Sequence, residues 1–241
     1  MPADQRPPAS GAVRLLAEGE IEVEGRLPWS SNASFVVGLC LDGSSGRAVY
    51  KPGRGERSLW DFPGGLYRRE IAAYELSRAL GWDLVPETVM RWDAPLGEGS
   101  LQRFVDADFT EHYFTLLEHP DVGDALRVIA TFDLVANNAD RKSGHCLIDA
   151  DRRVWAIDHG LCFHEEPKLR TVMWDFAGEL IPGNLLADLA TFAVNPVPDD
   201  LARWLDGDEL AALQRRAAAV ARVGKFPDPN PDMRPYPWPL V

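Results

Sequence analysis

Cysteine is scarce in this chain: Cys40, Cys146 and Cys162 are the only three in 241 residues, an odd number without repeating spacing. That excludes the stapled framework of a small secreted domain. Cys146 and Cys162 lie in apolar surroundings, and the set reads as reduced core thiols. Long apolar runs are missing too; none approaches the ~20 residues of a membrane-spanning helix. The opening Met1-Pro-Ala-Asp-Gln-Arg-Pro-Pro carries no apolar stretch of a signal peptide, so a cytoplasmic protein is expected. Positive charge is in short supply, with 25 Lys and Arg against 37 Asp and Glu and a net charge of −12. This disfavours broad attraction to nucleic acid or to an anionic membrane. There is no GxGxxG, no Walker A sequence, no internal repeat and no His or Cys spacing of a structural zinc site. Apolar residues, in contrast, make up 46% of the chain, ample for one large domain or two intimate lobes.

The most informative stretch runs from Asp133 to Phe163. It holds Asn137-Asn138-Ala139-Asp140-Arg141, then the short apolar runs Cys146–Ile148 and Val154–Ile157, then Asp158-His159-Gly160. Asp149 to Arg152 reads as a hairpin turn between two buried strands. Such a hairpin places Asp140, before its first strand, near Asp158, after its second. Either aspartate alone is most simply a turn residue. Converging, the two suit phosphoryl transfer: one orients the attacking hydroxyl and accepts its proton, the other holds a divalent metal on nucleotide phosphates.

A phosphate-binding half is expected upstream. Glu20–Gly25 alternates acidic and apolar residues as a strand with one wet face does; Phe35–Leu41 and Arg47–Lys51 read as further strands, joined by a turn over 42–46. Between the first two, Arg26 to Ser34 offers hydroxyls, small residues and backbone N–H groups that can cradle a triphosphate. Lys51 ends its strand, where an ammonium can reach phosphate oxygens if a carboxylate steadies it. Glu70, early in a helix predicted over Leu66–Leu80, is the candidate partner. Helical spacing recurs at Asn184–Val194, Asp200–Leu205 and Asp208–Val223. Beyond Lys225 the prolines at 227, 229, 231, 235, 237 and 239 surround Tyr236 and Trp238, either as a polyproline ligand for a protein partner or as a strap folded back on the domain.

Taken together, the segments Ala48–Pro52, Gly99–Val105, Phe132–Arg141 and Ala156–Phe163 resemble the phosphatidylinositol 3-/4-kinase superfamily over residues ~20 to 182. The likeness is greatest to the type II phosphatidylinositol 4-kinase branch and smaller to HipA-like kinases. A group of actinobacterial proteins without an assigned substrate carries the same signature. The resemblance implies an α+β, two-lobed protein-kinase-like fold with an antiparallel-sheet N-lobe and a mainly helical C-lobe. Its expected limits are a disordered start at 1–12, an N-lobe over 13–101, a hinge at 102–106, a C-lobe over 107–224 and a Pro-rich tail over 225–241.

The resemblance also implies roles. Ser30, Ser31, Asn32 and Ser34 would form the phosphate loop, and Lys51 would meet the ATP α/β-phosphates with Glu70 or Asp158 anchoring it. Gln102, Arg103, Phe104 and Val105 would read adenine from the hinge, mainly through backbone groups. Asp140 would be the catalytic aspartate, supported by Asn138 and Arg141, and Asp158 a ligand of Mg2+ or Mn2+. One position departs from the family, which has a metal-binding Asn where His145 stands. Three readings compete: a nitrogen ligand favouring manganese, a hydrogen bond to phosphate, or a lost second metal. A separate zinc site from His145, His159 and His164 is disfavoured.

The expected activity is transfer of the ATP γ-phosphate to a hydroxyl of a protein, a small molecule or, less favoured, a lipid. The alternative is a pseudokinase acting through a protein partner. The membrane-anchoring cysteines of the type II branch are absent from Pro52 to Gly65. Arg54, Arg57, Trp60, Phe62, Arg68 and Arg69 form a membrane-touching patch only if exposed together, and buried aromatics with solvated arginines are favoured. Downstream, Lys168 and Arg170 are the basic residues of a segment, 164–176, in the place of a substrate-binding loop.

Overall fold

A computed structural model describes residues 11–27, 32–232 and 234–240. Ser30, Ser31 and the first ten residues lie outside the described residues. The chain packs as two units, one of residues 1–67 with 87–104 and the other of 68–86 with 105–241.

In the first unit, α1 (Gly11–Glu18) precedes a five-stranded, wholly antiparallel sheet in the order β1-β2-β3-β5-β4. The strands are β1 (Glu20–Arg26), β2 (Phe35–Leu41), β3 (Ser44–Pro52), β4 (Thr88–Arg91) and β5 (Gly99–Arg103). The turn expected over 42–46 is shorter than its sequence suggests. Asp42 and Gly43 alone make it, with φ of 49° and 81°, and Leu41 pairs with Ser44. A two-residue Asp-Gly turn with both φ positive matches the twist of its strands, so Ser44–Gly46 are drawn into the ladder. Alternation along β2 and β3 points Val37, Leu39, Ala48 and Tyr50 to one face, where they pack with Leu16 of α1, Ala94 and Leu101. Buried Arg91 donates through Nη1 to the carbonyls of Leu16 (3.0 Å) and Gly19 (2.9 Å), satisfying acceptors at the end of α1. α1 opens at Gly11, inside the stretch 1–12 expected to be disordered.

The second unit is mainly helical. It takes α2 (Leu66–Ala79) from Arg68 onward, then α3 (Tyr113–Leu116), α4 (Gly123–Ala136), the hairpin β6–β7 (Cys146–Ile148 and Val154–Ala156), α5 (Gly183–Val194), α6 (Asp199–Ala202) and α7 (Gly207–Val223). Its core runs from Ala72, Ala73 and Leu76 of α2 through Leu126, Ile129 and Phe132 of α4 to Leu185 and Leu189 of α5 and Leu213 and Ala217 of α7. α7 is capped at both ends. Asp206 accepts from the N–H groups of Asp208 and Glu209, Glu209 returns a bond to the Asp206 N–H, and Gly224 closes the helix at φ 68°. Arg69 of α2 is buried, paired with Glu209 and donating to the Cys162 carbonyl at 2.6 Å. It is therefore not part of a surface patch, and Phe62 is buried while Trp60 is 96% exposed. Cys146 and Cys162 are buried thiols, and burial pushes the Cys146 pKa up to about 12. Among the described residues, no helix is long and apolar enough to cross a membrane.

Candidate active site

The second unit gathers the polar residues of the 133–163 stretch around one buried side chain. Arg141 has no exposed surface, and its five N–H groups all find acceptors. Nε and Nη2 meet the two oxygens of Asp133, on α4, at 2.7 and 2.9 Å. Nη1 donates to the carbonyls of His145 (3.2 Å) and Ile157 (2.9 Å), and Nη2 reaches His159 Nε2 at 2.9 Å. A guanidinium only donates, so His159 Nε2 accepts and the ring proton sits on Nδ1. A buried ion pair is tolerable only when its remaining donors are satisfied in this way. Arg141 thus fixes the loop after α4, the start of β6 and the end of β7 relative to one another.

The turn out of α4 explains why Asp140 points where it does. Asn137 takes the left-handed conformation at φ 55°, ψ 51° and ends the helix. Its amide then serves the segment that follows the hairpin: Nδ2 donates to the carbonyls of His164 (2.9 Å) and Glu166 (2.6 Å), and Oδ1 accepts from the Lys168 N–H (2.8 Å). Asn138 Nδ2 donates to Asp133 Oδ1 while its own Oδ1 receives the Asp140 N–H at 3.0 Å. Arg170 is pinned alongside, its N–H donating to the Asn138 carbonyl and its carbonyl accepting from Arg141 N–H.

Asp140 sits where these constraints meet. Burial is the main cause that pushes its pKa up, to about 6; Asp158 adds to the rise, while Lys142 (3.2 Å away) and Arg170 oppose it. A carboxyl that titrates near neutrality is suited to proton transfer. Asp158 follows β7 in the left-handed region, at φ 61°, and its Oδ2 lies 3.3 Å from His145 Nε2. His145 Nδ1 accepts the Lys142 N–H at 3.3 Å, so in the neutral ring the proton is on Nε2, facing Asp158. Glu70 of α2 is buried and accepts the N–H of His159, next to Asp158, at 3.0 Å. Phe163, at φ 69° and with no exposed surface, closes the segment; its N–H donates to the Ala136 carbonyl at 2.6 Å. A bulky residue keeps such a conformation only where packing over-determines it.

These residues fit a divalent cation. Asp158 Oδ2 is a carboxylate donor for it, and His145 Nε2 joins it only in the other neutral tautomer, with the proton on Nδ1 and the Lys142 N–H bond given up. Cations on nucleotides usually take one or two protein ligands and leave the rest to phosphate and water. Among the described residues no group of three His, Cys, Asp or Glu side chains forms a fuller cage.

The remaining candidates, Val105 apart, belong to the first unit. Lys51 lies opposite Ser100 in the β3–β5 pairing, and Val49 opposite Gln102, so Lys51, Ser100 and Gln102 share one sheet face. β5 approaches closely here: any side chain at Gly99 would meet the Lys51 carbonyl at 2.4 Å. Gln102 donates to Thr88 Oγ1 (2.9 Å), Arg103 pairs with Glu87 (2.5 Å), and Phe104 lies under the Arg47 guanidinium, 4.4 Å from the ring centre. Val105 belongs to the second unit, packed with Leu147 and Trp155. Asn32 Oδ1 accepts from Arg57 N–H (3.0 Å), and the Ser34 carbonyl accepts from Leu27 N–H (2.8 Å), closing the neck of the 26–34 loop.

Three residues of this arrangement carry no role in the sequence reading, Asp133, Asn137 and Lys142, and His159 figures there only in a disfavoured zinc site. The doublet Asn137-Asn138 at the end of an apolar run is a recognisable left-handed helix stop. Asp133 had no such signal, because its partner lies eight residues on, beyond that turn.

No family model matches the chain. It is 42% identical to Protein Rv2133c of Mycobacterium tuberculosis over 262 aligned positions, which cover 93% of this chain and 94% of that protein. Among solved structures it is similar to that of hydra Fam20 with sugar, at a TM-score of 0.53 and 16% identity over 88% of this chain and 86% of that one. It is also similar to the Helicobacter pylori proinflammatory kinase CtkA, at a TM-score of 0.49 and 11% identity over 87% and 94%. The first likeness shows a kinase-like fold, mixed α/β with an antiparallel sheet, and nothing finer; the second carries no weight.

Proposed function

We propose that this chain, which belongs to the family of the Mycobacterium tuberculosis protein Rv2133c, is an ATP-dependent phosphotransferase related to the phosphatidylinositol 3-/4-kinases, transferring the γ-phosphate to a hydroxyl. The observation that carries the reading is Asp140: a carboxyl with its pKa raised to about 6, fixed by Asn138 beside the Arg141 hub, with Asp158 near enough to raise it further. In the ionised form Asp140 orients the acceptor hydroxyl and takes its proton, while Lys142, 3.2 Å away, offsets negative charge gathering there.

Asp158 and His145 would hold Mg2+ or Mn2+. When bound, the cation neutralises charge on the nucleotide phosphates. An imidazole donor leans towards manganese, since magnesium prefers oxygen. Lys51 would meet the α/β-phosphates. Asn32 and Ser34, together with Ser30 and Ser31, would line the phosphate loop, and Gln102 to Val105 would read adenine. The lobe limits 13–101, 102–106 and 107–224 are part of the same proposal. A pseudokinase is the second reading, favoured by one observation, the histidine at position 145.

Titrating wild type with ATP in Mn2+ and in Mg2+ tests the nucleotide half. Binding is expected with Mn2+, weakened at least tenfold by Lys51→Ala and by Asp158→Ala and unchanged by Asp140→Ala. Unweakened binding by Asp158→Ala would remove the metal assignment.

A further inference from the structure

The stretch after α7 returns to the second unit and ends at the candidate catalytic loop. Lys225 bridges to Leu180, Phe226 exchanges backbone hydrogen bonds with Gly178 and Glu179, and its buried ring lies 5.7 Å from that of Phe176. Further on, the Pro235 carbonyl accepts from the Thr171 N–H (3.0 Å) and from Trp174 Nε1 (3.1 Å), and the Leu240 carbonyl accepts from the Ser143 N–H (2.9 Å). Thr171 is itself bridged to Arg141, and Ser143 lies three residues from Asp140.

Each of those three contacts is a carbonyl of the tail meeting a donor of the domain. None of them uses a tail side chain. Prolines at 235, 237 and 239 remove every second N–H, which leaves a segment, bent at 236, 238 and 239, whose carbonyls can accept from the domain and which has few N–H groups to pair elsewhere. Pro237 is buried against the domain, while Tyr236, Trp238 and Leu240 are 46%, 77% and 38% exposed. A surface that reads backbone carbonyls and one buried proline is selective for backbone shape rather than for a particular side-chain sequence.

We infer that Ser143, Thr171 and Trp174 form a docking surface for a polypeptide segment with prolines at alternate positions, which the chain's own residues 235–240 fill intramolecularly. Its occupant in trans is a protein segment of that pattern, admitted beside Asp140 only when the tail has lifted. This inference stands on the tail contacts and not on the phosphotransfer reading. A tether this short gives the tail an effective concentration of roughly millimolar, so a free peptide competes poorly until the tail is displaced.

The test uses a labelled peptide of sequence Arg-Pro-Tyr-Pro-Trp-Pro-Leu, without nucleotide, on three proteins: the full chain, a chain ended after Met233, and full-length Pro237→Asp, which puts a charge into the buried contact. Anisotropy should show the shortened chain and Pro237→Asp binding at least about tenfold more tightly than the full chain. Trp174→Phe in the shortened chain should weaken that binding severalfold, by deleting the Nε1 donor. Equal binding by all three folded proteins would overturn the inference. So would shortened and Pro237→Asp chains that no longer fold, since the tail would then be a structural staple. Binding here without ATP turnover elsewhere would leave the docking surface standing and remove only the phosphotransfer reading.

Discussion

Replacing Asp140 by asparagine should make the protein more stable and inactive at the same time. The folded-state pKa is about 6, against ~3.9 for an unfolded aspartate. The native state therefore binds this proton more tightly than the unfolded chain does. The resulting stability is fully present below pH ~4 and is lost as pH rises through 6. Two pKa units at 1.36 kcal/mol each give a ceiling of roughly 3 kcal/mol for the cost of ionising Asp140 in place. The side chain is 25% exposed, so water screens part of this and ~1–2 kcal/mol is the working figure. The attraction of Lys142 is already contained in the net shift. Asparagine removes the penalty, and for a chain of this size the melting temperature should rise by ~3–6 °C at pH 8. Near pH 4.5 Asp140 is protonated in the native state but the unfolded aspartate is already largely ionised, so the gain should shrink to about a third of its pH 8 value and vanish only below pH ~4. Thermal scans of both proteins from pH 4.5 to 8.5, followed by near-UV circular dichroism, measure this directly. A destabilised Asp140→Asn at pH 8, or a difference that does not change with pH, would refute the burial argument. Wild-type turnover should in parallel fall on the acid side with a midpoint near 6.

Arg141→Met leaves the buried Asp133 carboxylate without its guanidinium and should cost ~3–5 kcal/mol in urea melts, with part recovered by adding Asp133→Leu. Asn137→Gly and Asn137→Ala both lose the amide's three hydrogen bonds to residues 164–168, but only glycine keeps the left-handed turn without strain; alanine should be worse by ~1 kcal/mol. His145→Asn should move the metal preference of nucleotide binding from Mn2+ towards Mg2+, read by titration with each cation, and an unchanged preference would remove His145 from the metal shell.

Elements with a wet and a dry side were legible in the sequence. β2 matches its predicted bounds, α2 and α7 differ by a residue, and the short apolar runs at 146 and 154 form the β6–β7 hairpin. α4 was not legible because it is buried almost all round. Leu126, Ile129, Ala130, Phe132, Asp133, Val135 and Ala136 cover too much of the helix for an amphipathic stripe to emerge. α1 and β4 are short, and α1 abuts a Pro-rich start that masks its helical spacing. In the candidate site, the convergence of Asp140 and Asp158 followed from hairpin length alone. The Arg141 hub did not, because its acceptors are mostly backbone carbonyls, which any residue supplies. The tail was ambiguous for the same reason: its contacts are carbonyls of Pro235 and Leu240, and no side chain announces them.

The central claim is that Asp140 serves phosphoryl transfer. The direct measurement is incubation of purified protein with γ-labelled ATP in Mn2+ and in Mg2+, beside Asp140→Ala, following label on protein and on released phosphate. Label transfer or ATP turnover by wild type, reduced at least 100-fold in Asp140→Ala while ATP still binds, is the predicted result. Turnover equal in the two proteins, or nucleotide binding with no turnover under either metal and with any acceptor supplied, would contradict it.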